Sequence, residues 1–202
     1  AVVTYSYDLG YTGSSAYVDK TVDFTLSVKS SSSDIAIDVS NFPDANFRTV
    51  VADFDTDKNG TLSAGEIAAV TEFDFRDSDI SITSLTGIEH FTALESLYCN
   101  DKQLTELNVS SNTALKSLRC DGNKLTSLDI GSNTALNWLN CSGNQLVSLD
   151  VSQNTALKEL YCSGNQLTAL NIGGNSDLGT LNCSGNQLTA LDISKNTWLT
   201  WL

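Results

Sequence analysis

Apolar residues in the second half of the chain recur at a fixed step of 21 residues. Each unit reads L-x-x-L-x-C-x-x-N-x-L and continues with L-x-[VI]-x-x-N, so leucine, cysteine and asparagine return to the same places. The cysteines alone define the step: Cys99, Cys120, Cys141, Cys162 and Cys183. A constant period of this size is typical of tandem repeats, in which each unit buries its apolar face against the next.

The repeat unit predicts a solenoid built from short parallel strands. Its pattern is that of a leucine-rich repeat, with cysteine where a second leucine usually stands. In Leu118-Arg119-Cys120 the alternate residues face inward, as a strand requires, and neighbouring coils would place their strands about 4.8 Å apart. The expected fold is therefore an α/β leucine-rich-repeat solenoid with parallel strands and 21-residue coils.

The cysteine row admits three interpretations. Buried free thiols that act as small apolar side chains are favoured. Disulfides between neighbouring coils are conceivable because adjacent strands lie within disulfide range, although side-by-side Cβ atoms and an odd count of five disfavour them. A metal site is disfavoured, since a straight row of sulfurs cannot surround an ion as a tetrahedron.

Residues 55–66 read DTDKNGTLSAGE, which fits the calcium-loop pattern D-x-[DN]-x-[DN]-G-x5-E at every position. Calcium prefers oxygen ligands, about six to eight of them. The expected ligands are Asp55, Asp57, Asn59, the backbone carbonyl of Thr61, Ser63 (directly or through water) and bidentate Glu66. Helices are expected on both sides, a short one in residues 42–54 that opens near Pro43 or Asp44 and a second one over residues 64–73. A lone loop favours a structural calcium ion; the alternative is a solvated acidic turn.

Three regions follow from these patterns. Residues 1–34 are β-rich and form either a short N-terminal β segment or the end of a preceding domain. Residues 35–75 form a helical, EF-hand-like cap around the calcium loop. Residues 76–202 form the solenoid, which is expected to be truncated at its C-terminal end because the chain stops two residues before a sixth cysteine position.

The chain is acidic, with a net charge of −13 and a pI of about 4.2. This charge disfavours nucleic acid and anionic membranes as partners, because both bind basic patches. Apolar runs stay shorter than the roughly 18 residues that a membrane-spanning helix needs. An acidic chain with a calcium loop suits extracellular fluid.

Enzyme chemistry has little support in the sequence. The single histidine, His90, lies in a capping turn without an evident nucleophile partner. Paired carboxylates such as Asp74 and Asp77 are typical of a solvated surface, and no glycine-rich phosphate loop is present. The expectation is a non-catalytic protein.

The outward strand positions differ from coil to coil, whereas the inward positions hardly vary. Variation on one face of a regular scaffold is what a recognition surface looks like. Aromatic residues and arginine are frequent anchors of protein interfaces, and aromatics beside polar groups can also hold sugars. The other interpretation is that these aromatics are ordinary surface residues. The candidate ligand-binding residues are Tyr98, Arg119, Trp138, Asn140, Glu159, Tyr161, Asn182 and Trp201.

Two coils, LTSLDIGSNTALNWLNCSGNQL and LVSLDVSQNTALKELYCSGNQL, resemble the repeats of internalin-type bacterial surface proteins. Within that family they are most similar to the subgroup whose 21-residue repeats each carry one cysteine as a ladder. The stretches NFPDANF and ITSLTGIEHFTALESL resemble the family's EF-hand-like cap, although the calcium loop is complete here and usually cut down in the family. The resemblance covers roughly residues 35–202.

The resemblance implies an adhesin-like binding protein at the bacterial cell surface or secreted from the cell. Its partner would be a protein or glycoprotein ligand, for example a host surface or mucin, with calcium stabilising the cap. Two alternatives stay open: a structural spacer or stalk within a larger surface protein, and a glycan-binding accessory module of an extracellular enzyme.

Overall fold

The computed structural model describes residues 34–76 and 80–202. The β segment predicted within residues 1–34 lies outside the described residues, apart from Asp34. No helix in the described part of the chain is long and apolar enough to cross a membrane.

The cap contains two short helices that flank the acidic loop. Helix α1 (Ala45–Ala52) begins after Asp44, whose carboxylate accepts from the N–H groups of Asn46 and Phe47. Helix α2 (Ala64–Ala69) begins after Ser63, which forms a reciprocal capping box with Glu66. These contacts satisfy amide donors that the first turn of a helix leaves unpaired, so the sequence fixes where both helices begin.

A small antiparallel sheet joins the start of the described chain to the acidic loop. It pairs strand β1 (Ile35–Ala36) with strand β2 (Thr61–Leu62), so that Ile35 lies opposite Leu62. The N–H of Ile37 extends the pairing by donating to the carbonyl of Gly60 at 3.0 Å. Backbone hydrogen bonds from β1 and Ile37 therefore hold the second half of the loop.

The second helix ends earlier than the sequence predicted. We expected the helix to run over residues 64–73, but α2 ends at Ala69 and strand β3 occupies Glu72–Asp74. Strand β3 alternates exposed Glu72, buried Phe73 and exposed Asp74, which is the pattern of a half-buried strand. Its pairing with the first coil outweighs any local preference for continuing the helix.

The solenoid carries one three-residue strand in each described full coil, after a 3-10 turn at Ile88–His90. The strands are β4 (Ser96–Tyr98), β5 (Ser117–Arg119), β6 (Trp138–Asn140), β7 (Glu159–Tyr161) and β8 (Thr180–Asn182). Together with β3 they form a parallel sheet of six strands in the order β3-β4-β5-β6-β7-β8. Leu97, Leu118, Leu139, Leu160 and Leu181 lie side by side in its register. The predicted leucine-rich-repeat solenoid is confirmed.

The core is continuous from the cap into the coils. Phe73 of β3 packs against Phe47 of α1 at 5.5 Å between ring centroids, and against Phe91 at 4.9 Å. Beyond Phe91 the core consists of stacked leucines, valines, isoleucines and cysteines. Phe73 thus occupies, on the cap side, the place that the strand leucines occupy in the following coils.

The cysteine row consists of free thiols, as favoured from the sequence. Four of them are buried and Cys183 is partly exposed. Burial raises the pKa of Cys99 and of Cys162 to about 12, because a thiolate would lose its hydration in the apolar interior. These side chains therefore serve as packing groups.

Two asparagine rows turn the chain at the coil corners. In one row, Asn144 donates to the carbonyls of Cys120 and Cys141 and accepts from the N–H of Leu125. In the other row, Asn133 donates to the carbonyls of Val109 and Asn112, while its buried Oδ1 has no hydrogen-bond partner. The first row pairs backbone groups, such as the N–H of Leu125, that a buried corner would otherwise leave unpaired. The second row adds a side-chain donor to carbonyls that already accept from a backbone N–H.

Candidate functional site

The acidic loop brings carboxylates together between the two cap helices. One oxygen from each of Asp55, Asp57 and Glu66 lies within 4.8 Å of the other two. Calcium–oxygen distances are about 2.3–2.6 Å, so two oxygens on one ion lie at most about 5 Å apart. The three carboxylates are spaced as ligands of a single calcium ion would be.

The loop backbone adopts the turn that its sequence predicts. Gly60 has a φ of 82°, a left-handed conformation in which glycine carries little strain. Asp55 is 7% exposed, and its two carboxylate oxygens accept from the N–H groups of Asn59 and Gly60. Asn59 in turn accepts from the N–H and hydroxyl of Thr61. The first half of the loop is therefore wrapped around the Asp55 carboxylate.

Glu66 closes the loop from the second helix. Its carboxylate accepts from the N–H and hydroxyl of both Ser63 and Thr56, at 2.7 to 2.9 Å. These donors, with the Ser63 N–H foremost, lower the pKa of Glu66 to about 2. The side chain is thus ionised at neutral pH and stands at the position of the bidentate calcium ligand.

The strand face carries an aromatic cluster with members from strands β6 and β7 and from Trp201, which pairs with Thr180 of β8. We define it as Trp138, Glu159, Tyr161 and Trp201. The Trp138 and Tyr161 rings lie 5.8 Å apart between centroids, and Tyr161 and Trp201 lie 6.4 Å apart. Both the Trp138 indole N–H and the Tyr161 hydroxyl donate to Oε2 of Glu159. Three predicted ligand-binding aromatics therefore lie in a row, and two of them, Trp138 and Tyr161, are hydrogen-bonded to the predicted Glu159.

The cap-proximal end of the same face is charged. The Arg76 guanidinium lies 4.3 Å from the centre of the Tyr98 ring and also bonds Asp74. Arg119 bonds Asp121 through Nε at 2.8 Å. The sequence analysis did not assign Asp74 and Arg76 to the strand face. Their alternation with Phe73 and Phe75 is the signal that marks them as outward positions.

Two predicted ligand residues have a local role in the structure. Asn140 accepts from the N–H of Ser142, and Asn182 accepts from the N–H and hydroxyl of Ser184. Such bonds to the residue two places further on form side-chain turns at the end of a strand. The structure does not join these two amides to the aromatic cluster by a hydrogen bond, so their predicted part in ligand binding is untested.

His90 lies against Phe42, with 5.7 Å between ring centroids, in the 3-10 turn under the cap. This is a packing contact. Within residues 34–76 and 80–202, Asp55, Asp57 and Glu66 form the group of carboxylates spaced to hold a metal ion.

One three-residue strand, one inward cysteine and two corner asparagines per 21-residue coil define a leucine-rich-repeat protein. No family model matches the chain. Internalin J of Listeria monocytogenes is 39% identical over 72 residues, which are 35% of this chain and 8% of that protein.

Solved structures extend the similarity to the fold. The functional domain of internalin J, which includes a cysteine ladder, is 35% identical over 84% of this chain and 47% of its own, with a TM-score of 0.56. Internalin F of Listeria monocytogenes shares the fold at 21% identity, with 82% of this chain and 50% of its own covered and a TM-score of 0.73. The chain thus spans half or less of these relatives. The chain is homologous to internalin J, and its solenoid of 21-residue coils is of the leucine-rich-repeat type seen in these internalins, as the resemblance predicted for the repeats.

Proposed function

We propose that this chain is a non-catalytic, adhesin-like binding protein that acts at the bacterial cell surface or after secretion. It would hold a protein or glycoprotein ligand on the strand face of its solenoid. The observation that carries this proposal is the aromatic cluster, in which the side chains of Trp138, Glu159, Tyr161 and Trp201 meet outside the core.

The cluster has the physical properties of an interface anchor. Its aromatic rings offer large contact area with few rotatable bonds, so little conformational entropy is lost when a partner docks. The two hydrogen bonds to Glu159 hold Trp138 and Tyr161 in place before binding. Such preorganisation reduces the entropic cost of association. Tyr98 and Arg119, nearer the cap, add further anchors of the kinds enriched at hot spots.

The test compares variants of two faces of the same coils. The combined variant Tyr98→Ala, Trp138→Ala and Tyr161→Ala removes strand-face anchors. Its matched control, Thr105→Ala, Thr126→Ala and Thr168→Ala, changes three exposed residues away from the strands. Labelled protein is titrated on immobilised mucin and on cultured epithelial cells.

We expect the strand-face variant to bind at least tenfold more weakly than the control variant, with unchanged circular dichroism. Equal binding by the two variants would refute the strand face as the recognition surface. If the wild-type chain binds neither surface, a spacer or stalk role becomes the better interpretation.

We also propose that the acidic loop binds one structural calcium ion. The ligands would be the side chains of Asp55, Asp57, Asn59 and Glu66, the Thr61 carbonyl, and Ser63 directly or through water. All are oxygen donors, which calcium prefers, and the three carboxylates are spaced for one ion. Because β1 pairs with the second half of the loop, calcium would also stabilise the attachment of β1 to the cap.

Calorimetric titration and thermal unfolding test the calcium proposal together. We expect one site per chain, and a midpoint that falls when a chelator is added, since a ligand that binds only the folded state stabilises it. The double variant Asp55→Ala and Glu66→Ala should lose both effects. Asp101→Ala and Glu106→Ala, which remove two exposed carboxylates from the first coil, should retain them. An unchanged wild-type midpoint together with no binding heat would leave the loop as an acidic turn.

A further inference from the structure

Three residues depart from the repeat pattern at coil positions that lie just before the strand. Gly179 stands where the other coils carry Glu95, Lys116, Asn137, Lys158 and Thr200. Asp177 and Trp198 stand where the preceding coils carry alanine: Ala93, Ala114, Ala135 and Ala156. The solenoid forms with small residues at these alanine positions, so its packing does not require an indole or a carboxylate there.

These departures coincide with a cavity. A shallow pocket of about 510 Å³ lies beside the strand edge, lined by Lys158, Glu159, Asp177, Gly179, Thr180, Trp198 and Thr200. Its lining comes from three adjacent coils, with Gly179 in the middle one. The absence of a side chain at Gly179 leaves open the space that a lysine or asparagine would cover. The volume is in the range of pockets that bind small molecules.

The pocket combines an exposed aromatic ring with hydrogen-bonding groups. Trp198 is exposed, and the equivalent positions of two inner coils, Ala135 and Ala156, are exposed as well, so an indole at this coil position points out of the core. The carboxylates of Glu159 and Asp177 can accept hydrogen bonds, and the hydroxyl of Thr180 can accept or donate them. The Thr200 hydroxyl donates to the carbonyl of Gly179 at 3.2 Å and can accept from a ligand.

We propose that this pocket binds a neutral sugar, whose apolar C–H face stacks on Trp198 while its hydroxyls bond Asp177, Glu159 and the threonines. A pyranose ring has both an apolar face and a rim of hydroxyl groups, so it matches both parts of the lining. The lining carries two carboxylates against the single ammonium group of Lys158, in a chain of net charge −13, so the net local charge favours a neutral sugar over an acidic one. The site shares Glu159 with the aromatic cluster but does not depend on a protein ligand binding there.

The pocket can be filled without strain by restoring the residue type of neighbouring coils. A Cβ at Gly179 would meet only Trp198 O at 3.7 Å and Lys158 O at 3.8 Å, which are ordinary contacts. Gly179→Lys therefore places in the pocket the side chain that Lys116 and Lys158 carry at the same coil position. Gly174→Lys is the matched control: its Cβ would meet only Ser152 O at 3.7 Å, and Lys195 occupies its position one coil later.

The experiment follows the indole N–H signals of the three tryptophans by two-dimensional NMR. Each signal is assigned with a Trp→Phe variant. Lactose, cellobiose, chitobiose and N-acetyllactosamine are titrated separately, with glucuronic acid as an acidic comparison. We expect at least one neutral disaccharide to shift the Trp198 signal saturably, and Gly174→Lys to retain this response. Gly179→Lys and Trp198→Ala should weaken binding at least tenfold.

Two results would overturn the sugar site. One is the absence of a saturable Trp198 shift with all four disaccharides. The other is unchanged affinity in Gly179→Lys, which would place the sugar elsewhere. Tyr98→Ala separates this site from the proposed strand-face function: Tyr98 lies on strand β4 and does not line the pocket, so the variant should leave sugar binding within about twofold, whatever happens to mucin or cell binding.

Discussion

The indole N–H of Trp138 donates to Oε2 of Glu159 in the next coil at 3.1 Å, and the hydroxyl of Tyr161 donates to the same oxygen at 2.9 Å. A single carboxylate thereby holds two aromatic side chains from neighbouring strands. Because both donors approach one charged acceptor, the properties of Tyr161 depend on the charge of Glu159.

The phenol of Tyr161 should titrate at unusually high pH. Its hydrogen bond to Glu159, then burial and the carboxylate charge, raise the pKa of Tyr161 above the ordinary tyrosine value. Since the folded pKa exceeds the unfolded one, the associated stability is present below about pH 10 and is lost as the pH rises through the folded pKa.

Glu159→Gln removes the charge while keeping an acceptor, so the pKa of Tyr161 should fall towards its ordinary value. Tyrosine ¹³Cζ shifts between about pH 8 and 12, assigned with Tyr161→Phe, measure this difference. An identical Tyr161 pKa in wild type and Glu159→Gln would contradict the shared-acceptor geometry.

Asp44 should contribute more to stability than an ordinary helix cap. One of its oxygens caps α1, and the other accepts from the N–H groups of Thr83 and Ser84, which joins the cap to the start of the solenoid. Asp44→Ala should cost at least the roughly 1–2 kcal/mol of a strong cap in urea-induced unfolding. Asp129→Ala, which removes only a bond to the N–H of Gly131, should cost less than about 0.5 kcal/mol. Equal losses of stability in the two variants would argue against a role of Asp44 in connecting the cap to the solenoid.

The Asp44 contribution should also depend on pH. Burial tends to raise the pKa of Asp44, but the N–H donors of Phe47, Thr83 and Ser84 outweigh it, so this pKa lies below its usual value. The contribution is therefore complete above the unfolded pKa, near about 4, and is lost as the pH falls through the folded pKa. The stability gap between wild type and Asp44→Ala should narrow below about pH 3.

The two asparagine rows should differ in their cost of substitution. Asn144→Ala would leave the N–H of Leu125 without its acceptor, while the two carbonyls that Asn144 contacts would each keep a second amide donor. Asn133→Ala would leave its two carbonyls with their backbone N–H donors and would remove an acceptor that is itself unpaired. A buried group left unsatisfied costs about 1–3 kcal/mol. Asn144→Ala should therefore be the more destabilising by roughly 1–2 kcal/mol. Chemical denaturation of the two variants decides this, and the reverse order would contradict the assigned bonds.

The five thiols should react very unequally in the folded protein. Cys183 is partly exposed, whereas Cys99, Cys120, Cys141 and Cys162 are buried with raised pKa values. Because the thiolate is the reacting species, a thiol reagent at about pH 8 should label Cys183 first and the others only on unfolding. Mass spectrometry after partial labelling locates the modified residue. Rapid labelling of Cys120 in native protein would show that the core is open.

The sequence predicts the solenoid well because every coil repeats the same pattern of residues. Leu118, Cys120 and Asn123 each recur with the 21-residue step, so one coil's structure applies to the next. The calcium-loop pattern likewise predicts that Asp55, Asp57 and Glu66 converge, as the structure shows. Both predictions rest on patterns that extend over many residues.

The features that sequence reasoning missed depend on partners far along the chain. Strand β3 forms because residues 96–98 offer it a parallel edge, which the local sequence does not reveal. Strand β1 is two residues long and depends on the loop that it pairs with. The sharing of one Glu159 oxygen by Trp138 and Tyr161 depends on side-chain rotamers. The sequence shows only that Asn182 and Tyr161 both face outward, so it predicts the same role for both. In the structure, Asn182 accepts a hydrogen bond from the N–H of Ser184 in a local turn.

Strand β3 has a consequence for how proteins of this architecture can vary in length. The first strand of the parallel sheet comes from the cap and not from the repeat, so the cap sets the register from which the coils are counted. Inserting or deleting one whole coil changes the reach of the molecule by about 4.8 Å while preserving every contact between cap and first coil. The length of the solenoid therefore changes in equal steps of one coil. Each step also adds or removes one strand with its outward side chains.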